Sequence, residues 1–586
     1  MNVNPPPQQL PLACLIALMS AIAPACLNDL DFDDIEPSCT SPRFDVPSRD
    51  MYCSAQVTTS IPAPQEQNSR HYVAIASLGE RAFVLEGTLV DSNRFDDALL
   101  TGTTPDAQLL RTLLNSDTPV YDRIQGWSVD LNNIDAANLS DSAAVEFVDV
   151  VKDSNGNNNA FPVLPLSRME PLSTQGDAVM VSQVFGDVLL LQFSSDRASL
   201  NLEISTRLAL VDEESREVND PSISDIAVAQ LEPDRVLVLM AAGGEGIKSI
   251  PFRWDGNNWV EDTVDFSDTP PEDFDATLLE PFTRACCERA CATGQLGSNL
   301  LNRCIAGDLS GQACFGIEDP WTDRENCIQA IFSHRPITLV STLVVSPNQA
   351  ETYSGGLIFN ITGPGPQDFT LQGVVTRAKT QGFDPRNYIS QGLEPPFSTT
   401  VLPPVTGMAE GAFLNPVELA VDDDNLYVLS SVVNDAEVLF NPLEGQLGDS
   451  RLALHVLPLT EEGTIDAGQL PRSTLLTIED GDFNSSLTPE LRPLGDGVMA
   501  IRLNRNKYTT FSIEYGGSTV MLWDLASNPL PDEPMVTYRE IFTVDNSRRA
   551  QAGLLGTATG VERMVIHPTT EGLERVDLTL EGGPLR

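Results

Sequence analysis

Six cysteines between Cys286 and Cys327 form the densest group of chemically reactive side chains in the sequence. Their pattern is C-C-x3-C-x12-C-x9-C-x12-C, without a CxxC pair, and His334 is the one histidine nearby, so structural zinc is a weaker explanation than disulfides. Cys287 and Cys291 are four residues apart and would share one helix face. We therefore predict a small helical insert at residues 281–334, stapled by three disulfides in one of fifteen pairings. The cysteines concerned are Cys286, Cys287, Cys291, Cys304, Cys314 and Cys327.

No sequence motif marks a catalytic centre. The histidines are widely spaced and form no HExxH motif, and GxSxG, GxxxxGK[ST] and strand-associated GxGxxG patterns do not occur. We therefore assign no catalytic, cofactor-binding or metal-ligating residue, and on balance the sequence favours a protein that is not an enzyme. Carboxylate pairs for glycoside cleavage arise by chance among 83 acidic residues, which leaves an enzyme open.

Two acidic segments offer oxygen ligands of the kind that calcium prefers. Asp422–Asn425 carries three carboxylates and an amide, and the alternative explanation is a tight hairpin turn. Asp153–Asn157 begins like a calcium loop, but position 12 of that loop would be Leu164 instead of Glu. Calcium is thus the one cofactor considered, and otherwise none is expected.

The charge balance argues against two classes of partner. The 586 residues include 35 Lys and Arg against 83 Asp and Glu, a formal net charge of −48. Such a surface repels nucleic-acid phosphates and anionic lipid headgroups. We expect no nucleic-acid partner.

The segment Asp225–Asp262 is the clearest structural unit. It contains four short apolar or alternating runs, separated by Glu-Pro-Asp, Gly-Gly-Glu-Gly and Asp-Gly-Asn turn sequences. Four antiparallel strands in about 40 residues are what one β-propeller blade requires. Trp254 and Trp259 flank its last turn, where they could form a sugar-stacking rim or simply pack within the hairpin.

Six further hairpin-like segments resemble imperfect copies of this unit. We predict a mainly β protein, a β-propeller of about seven blades with the disulfide-rich helical insert; tandem β-sandwiches are the alternative. Another blade could lie near Trp127–Val151, and residues 381–408 look like a long surface loop. The six segments are His71–Val90, Ala178–Ser205, Ile337–Ile361, Val417–Phe440, Gly495–Trp523 and Gly560–Leu580.

One of these segments resembles the strand–turn–strand of NHL-type and related propellers, in which an apolar strand meets an Asp-rich turn and a Leu-Tyr-Val strand. The likeness covers about a dozen residues and implies fold, not ligand. The matching residues are Val417, Leu419, Val421, Asp422 to Asn425, Leu426, Tyr427 and Val428.

The apolar run Leu10–Ala25 is short for a membrane span and suits a signal-peptide core. It ends Ala23-Pro24-Ala25-Cys26, which resembles the lipobox of bacterial lipoproteins. The resemblance implies cleavage before Cys26, lipidation of Cys26 and, because Leu27 follows, sorting to the outer membrane. A plain secreted protein and an uncleaved anchor are the alternatives.

The predicted organisation follows from these segments. We expect a signal peptide at 1–25, an acidic and Pro/Ser-rich tether at 26–70 with a Cys39–Cys53 disulfide, blades at 71–280, the insert at 281–334 and blades at 335–586. Removing Cys14 and Cys26 leaves eight cysteines, an even number that suits an exported protein.

Three functions fit this organisation. The first is an envelope-anchored binding or scaffold module on the outer membrane or cell surface, with an envelope protein or a glycan as partner. The second is an extracellular glycan-active hydrolase or lyase, and the third is a structural subunit of a surface assembly. Fold alone does not choose among them, whereas acidic, His, Tyr or Arg side chains converging at a central channel mouth would favour the enzyme.

Overall fold

The computed structural model of the protein describes the segments that build its sheets. They are residues 52–62, 70–78, 81–89, 121–131, 149–152, 158–161, 166–173, 177–183, 188–193, 204–208, 223–243, 246–262, 339–361, 369–384, 397–433, 451–477, 489–494, 498–508, 513–524, 538–544, 555–559, 562–568 and 572–580.

The described residues are predominantly β, which confirms the predicted fold class at that level. They form 29 strands and one 3₁₀ turn at Thr380–Phe383. In chain order the strands are β1 (Tyr52–Pro62), β2 (Arg70–Leu78), β3 (Arg81–Leu89), β4 (Tyr121–Asp130), β5 (Asp149–Lys152), β6 (Asn158–Phe161), β7 (Leu166–Pro171), β8 (Asp177–Gln183), β9 (Val188–Phe193), β10 (Ile204–Leu208), β11 (Asp225–Glu232), β12 (Arg235–Ala241), β13 (Ile247–Trp254), β14 (Trp259–Glu261), β15 (Leu339–Val345), β16 (Glu351–Ile361), β17 (Phe369–Lys379), β18 (Phe397–Val401), β19 (Phe413–Val421), β20 (Asn425–Val433), β21 (Arg451–Pro458), β22 (Arg472–Thr477), β23 (Glu490–Pro493), β24 (Val498–Tyr508), β25 (Ile513–Asp524), β26 (Tyr538–Val544), β27 (Leu555–Thr559), β28 (Glu562–Pro568) and β29 (Gly572–Leu580).

Consecutive strands pair antiparallel into separate sheets. Five sheets have four consecutive strands each: β7–β10, β11–β14, β15–β18, β19–β22 and β23–β26. A sixth holds β2–β4, and β5–β6 form a separate hairpin. The remaining sheet has the order β1-β29-β28-β27, so it joins the first described strand to the last three.

The unit Asp225–Asp262 forms one complete sheet, with strand bounds close to the four predicted runs. β11 and β12 pair from Asp225↔Ala241 onward, and β13 and β14 close the unit at Trp254↔Trp259. Gly256 has φ of 104°, a left-handed conformation that the turn between β13 and β14 requires and that glycine adopts without strain. The turn sequences therefore predicted this sheet correctly.

Both faces of β12 are buried, and this explains its continuous apolar run. Along β12, Val236 and Val238 pack towards the sheet β7–β10, whereas Leu237 and Leu239 pack towards the sheet β15–β18. Because successive side chains of a strand point to opposite faces, a strand between two neighbours must be apolar at every position.

Six apolar clusters join neighbouring sheets in chain order. Five of them link β2–β4, β7–β10, β11–β14, β15–β18, β19–β22 and β23–β26 one to the next. The sixth packs Leu573 of β29 against the sheet β2–β4. The first strands follow the same order: β2, β7, β11, β15, β19, β23 and β27 each lie beside the next, and β27 lies beside β2.

Strand β1 corrects the predicted tether. Residues 26–70 were predicted to be a tether, partly ordered by a Cys39–Cys53 disulfide, without a strand, but Tyr52–Pro62 pairs along its length with β29, from Tyr52↔Leu580 to Pro62↔Gly572. The physical reason is its composition, since the run from Gln56 to Ile61 is rich in the β-branched residues that favour strands. Pro- and Ser-rich flanks obscured this signal.

Two further expectations need correction. Within the predicted surface loop 381–408, Phe397–Val401 forms β18 against β17, and Leu402 and Val405 are buried. Near Trp127, β4 completes the sheet of β2 and β3, and β5–β6 is a lone hairpin, so no further blade is described there. The prolines and glycines around β18 favoured the prediction of a loop. The pairing of β4 with β3 was not predicted, because the two strands are separated by about 30 residues of sequence.

The predicted signal peptide at 1–25 and the disulfide-rich insert at 281–334 lie outside the described residues. Within the described segments, no helix has the length and apolar character needed to cross a bilayer.

Candidate functional site

Five consecutive first strands each carry a buried polar residue that is followed by a buried apolar one. Alternation along a strand sends the two side chains of each pair to opposite faces, so the polar members can meet while the apolar members enter the clusters between sheets. The pairs are Arg168-Met169 on β7, Asp225-Ile226 on β11, Thr342-Leu343 on β15, Glu418-Leu419 on β19 and Glu490-Leu491 on β23.

Arg168 is the centre of the group that these polar residues form, called here the first-strand cluster. Its Nε donates to Oδ1 of Asp225 at 2.9 Å, and its Nη2 donates to Oε2 of Glu418. Its Nη1 lies 3.8 Å from Oε1 of Glu490. One guanidinium therefore contacts carboxylates of three other sheets, although β19 and β23 are distant from β7 in the order of sheets.

Two of the carboxylates also hold the next sheet through its backbone. Oδ2 of Asp225 accepts hydrogen bonds from Thr342 Oγ1 at 2.7 Å and from the Leu343 amide at 2.9 Å. Oε1 of Glu418 accepts from the Leu491 amide at 3.4 Å. In both cases the carboxylate of one first strand accepts from a backbone amide of another first strand. The donor is the residue directly after the buried polar one, Leu343 after Thr342 and Leu491 after Glu490, so the same contact occurs twice.

Two more arginines complete the cluster. Arg492 on β23 places Nη1 4.0 Å from Oε1 of Glu418, and Arg502 on β24 places Nη1 3.9 Å from Oε1 of Glu490. Burial lowers the pKa of Arg502, with partial compensation by Glu490. For Arg168, burial opposes the charge, but Asp225, Glu490 and Glu170 outweigh it and raise the pKa.

Glu170 differs from the other carboxylates of the cluster. Loss of hydration on burial raises its pKa to about 7, Arg492 and Arg168 oppose that rise, and Asp225 and Glu490 add to it. The residue itself is partly exposed, whereas Asp225, Glu418 and Glu490 are 3%, 1% and 0% exposed. Glu170 is thus the cluster carboxyl that combines solvent contact with a pKa near neutrality.

The turn Asp422–Asn425 uses its first carboxylate internally. Oδ1 of Asp422 accepts from the amides of Asp424 and Asn425 at 2.9 and 2.7 Å, and Oδ2 accepts from Tyr427 Oη at 2.6 Å. Burial and this hydrogen bond raise the pKa of Tyr427. Across the described residues, no group of three or more His, Cys, Asp and Glu is placed to hold a metal ion. The observed contacts are those of a hairpin turn, and calcium binding remains an untested expectation.

The tryptophan pair packs within its hairpin. Trp259 is 0% exposed, and its ring centroid lies 5.7 Å from that of Trp254. The backbone of Trp259 exchanges two hydrogen bonds with the side-chain amide of Gln192, at 2.7 and 2.9 Å. An enclosed ring cannot stack on a sugar, so of the two interpretations the structure supports packing within the hairpin for Trp259.

His455 is the one histidine whose side chain the structure describes. It is fully buried on β21, where Nε2 lies 3.0 Å from the Pro403 carbonyl oxygen. Burial lowers its pKa, and the bond to Pro403 partly opposes this. His455 therefore packs as a neutral side chain.

The cysteines predicted to carry lipid or disulfides are not placed by the structure. Cys53 lies in β1, of which only the backbone is described. The others lie outside the described residues: Cys26, Cys39, Cys286, Cys287, Cys291, Cys304, Cys314 and Cys327.

The sequence analysis missed the first-strand cluster, although a signal was present. Residues 168–172 read Arg-Met-Glu-Pro-Leu and residues 490–494 read Glu-Leu-Arg-Pro-Leu, the same pattern with the charges exchanged. The two segments lie on the equivalent strands β7 and β23. Such a charge-exchanged repeat is what two strands facing each other across a shared site would show.

Fold and cluster together define a mainly β protein of consecutive antiparallel sheets with charged first strands. Neither a protein-family model nor a curated protein matches the chain. Among solved structures, the β-propeller domain of Cps50 (Swd1) from Myceliophteria thermophila matches with a TM-score of 0.37 and 8% identity, over 90% of this chain and 100% of that one. The Dos1 propeller matches at 0.33 and 9%, over 90% and 96%.

A puromycin-hydrolyzing peptidase of Mycobacterium tuberculosis matches with a TM-score of 0.31 and 11% identity, over 87% of this chain and 52% of that chain. These scores and identities are too low to support an argument about function. The functional proposal therefore rests on the geometry of this chain.

Proposed function

We propose that the protein is a closed, seven-bladed β-propeller, exported and anchored in the cell envelope, that acts as a binding or scaffold module. The observation that carries the proposal is the engagement of the charged first-strand side chains with one another and with backbone amides of other sheets. Groups held in this way serve to fix the ring, and the outer surfaces and loops are left for recognition.

Closure of the ring is supported by three features that agree. Strand β1 completes the sheet of β27–β29, which would tie the first blade position to the last. Leu573 of that sheet packs against β2–β4, and β27 lies beside β2. Arg168 reaches carboxylates on β19 and β23, which a ring of first strands around a common axis would bring within its range.

Anchoring rests on the resemblance of residues 23–26 to a lipobox. Cys26 precedes β1, which begins at Tyr52. The segment from Cys26 to Tyr52 can extend to roughly 90 Å at most, at about 3.3–3.6 Å per residue. Lipid on Cys26 would therefore hold the propeller near the membrane while leaving its faces accessible to an envelope protein or a glycan.

The first test concerns the anchor. The full chain is expressed in a bacterium with a lipoprotein pathway, and its mature form is examined by mass spectrometry with and without reduction. We expect acylated Cys26 and no free thiols; the matched variant Cys26→Ser should be neither acylated nor cleaved before residue 26. An unmodified mature chain that starts elsewhere would remove the anchor from the proposal.

The second test concerns binding. Full-length tagged protein and the Cys26→Ser variant are each cross-linked in envelope preparations and recovered under denaturing conditions. A partner that is enriched with the anchored protein in reproducible stoichiometry supports a scaffold. Recovery of free monomer alone counts against it.

A glycan-active enzyme is the second candidate, and one observation favours it. Three carboxylates converge near Arg168, and beside them Glu170 has a pKa of about 7, which suits a general acid or base at neutral pH. The three other carboxylates are engaged and buried, which favours the scaffold. Release of reducing ends from envelope polysaccharides by the purified full chain, abolished in Glu170→Gln, would favour the enzyme instead.

A further inference from the structure

Counted over the residues that the structure describes, the first-strand cluster has one carboxyl group more than it has guanidinium groups. Three arginines, Arg168, Arg492 and Arg502, face three deeply buried carboxylates on β11, β19 and β23. These six charges cancel. Glu170 is a fourth acid, and if it were ionised these groups would together carry a net negative charge beside three buried carboxylates.

The position of Glu170 follows from strand geometry. It stands two residues after Arg168 on β7, so both side chains leave the strand on the same face. Arg492 stands two residues after Glu490 on β23 in the same way. The charge-exchanged pairs thus place Glu170 close to Arg492 and Arg168, the two cations that oppose the rise of its pKa, and both already contact other carboxylates.

We propose that the cluster holds one proton on Glu170 in weakly acidic medium and releases it as the medium becomes alkaline, so that cohesion of the ring depends on external pH. In the protonated form these seven described groups carry no net charge. In the ionised form Glu170 competes with Asp225 and Glu490 for the same guanidinium groups, and repulsion acts between strands of different sheets.

The groups that face Glu170 come from several elements. β7 contributes Arg168, β11 contributes Asp225, β23 contributes Glu490 and Arg492, and their partners Glu418 and Arg502 stand on β19 and β24. Strands β2 and β8 flank β7 and add no charged group among their described side chains. Among the described residues these groups form one coupled set, and their titration belongs to the set as a whole.

The expected dependence on pH has a definite sign. An acid whose pKa is higher in the folded protein than in the unfolded chain stabilises the fold most at low pH. For Glu170 this contribution is lost as pH rises from about 4.5 to about 7, and no further loss occurs above that range. A glutamine in place of Glu170 would imitate the protonated carboxyl at every pH.

The decisive experiment compares thermal unfolding of the full chain with that of Glu170→Gln between pH 5.5 and pH 8. We expect the two melting temperatures to lie close together at pH 5.5 and the variant to melt about 3 °C higher at pH 8. Asp422→Asn is the matched control, because its carboxylate accepts hydrogen bonds outside the cluster. Its offset from the parent should stay constant over this range.

A second measurement detects the carboxyl proton directly, first in the parent protein. In the parent protein labelled with ¹³C at the glutamate carboxyl groups, infrared spectroscopy should show a protonated carboxyl band at pH 6 that disappears by pH 8.5. The band should be absent in Glu170→Gln. A parent without that band at pH 6, a band that persists in the variant, or parallel melting curves for parent and variant would each overturn the proposal.

Discussion

Neighbouring sheets are joined in two chemically different ways, by apolar clusters between their faces and by charges at their first strands. Among the described residues, the apolar clusters link each sheet to the next in chain order, as Phe252 and Trp259 do, and link the sheet of β29 to β2–β4. The first-strand cluster links sheets that are far apart in that order, through Arg168. Apolar side chains therefore join adjacent sheets, whereas charged side chains join sheets that are far apart in the order.

The two kinds of contact should also differ in their energetics. Apolar burial is favourable at about 25 cal/mol per Å² and tolerates small adjustments of geometry. A buried ion-pair network gains little net free energy over an apolar replacement, but loss of one member leaves the remaining charges uncompensated. We therefore expect the apolar clusters to supply most of the stability and the charged cluster to fix how the first strands are arranged.

The largest effect is expected from Arg168→Ala. The substitution leaves Asp225, Glu418 and Glu490 without their shared cation, and we expect a loss of about 4 kcal/mol in the free energy of unfolding. Chemical denaturation at pH 7 measures it. Arg253→Ala is the control, since Arg253 is 55% exposed and lies 3.9 Å from its partner Asp262. A similar loss in both variants would contradict a special role for the cluster.

A somewhat smaller effect is expected in the apolar region. Leu239→Ala removes a fully buried side chain from the cluster between β11–β14 and β15–β18, at a cost of about 3 kcal/mol. Leu470→Ala, at a position that is 85% exposed, should change stability by less than about 0.5 kcal/mol. Equal stability of the two variants would show that this cluster does not hold the sheets together.

His455 should give a pH dependence opposite to that of Glu170. Because burial lowers its pKa, the unfolded chain binds a proton below about pH 6.5 that the folded protein does not. Stability should then fall as pH decreases, by up to about 1.4 kcal/mol per pH unit. Urea denaturation at pH 5, 6 and 7 should show a shallower fall for His455→Leu than for the parent, and identical slopes would refute the assignment.

The smallest effect is expected at the turn of β19 and β20. Tyr427→Phe removes the hydroxyl that donates to Asp422 and should cost about 1 kcal/mol. The double variant with Asp422→Asn should lose less than the sum of the two single losses, because the groups share one hydrogen bond. Strict additivity would show that the bond contributes nothing to stability.

Local patterns in the sequence were sufficient for most of the strands. In Asp225–Asp262 the turn residues and apolar runs gave all four strands, because each turn is short and its chemistry is local. The same reasoning gave β2–β3, β8–β9 and β24–β25. It could not give the pairing of β1 with β29, since the signal for a partner more than 500 residues away is not contained in either strand.

The first-strand cluster was beyond such reasoning for a related reason. Among 83 acidic residues, Glu418 and Glu490 have no local property that distinguishes them. Their role arises when the first strands are placed side by side and Arg168 meets them. The exchanged order of Arg168–Glu170 and Glu490–Arg492 becomes informative after the two strands are recognised as equivalent.

The pairing of β1 with β29 also constrains how the protein is made. A ribosome releases residues 52–62 early and residues 572–580 near the end of the described chain, so β1 must wait for its partner throughout most of synthesis. During that time its backbone donors and acceptors are open to pairing with other chains. A product that stops before residue 572 would keep this strand exposed permanently, and quality-control proteases would then have a defined segment by which to recognise it.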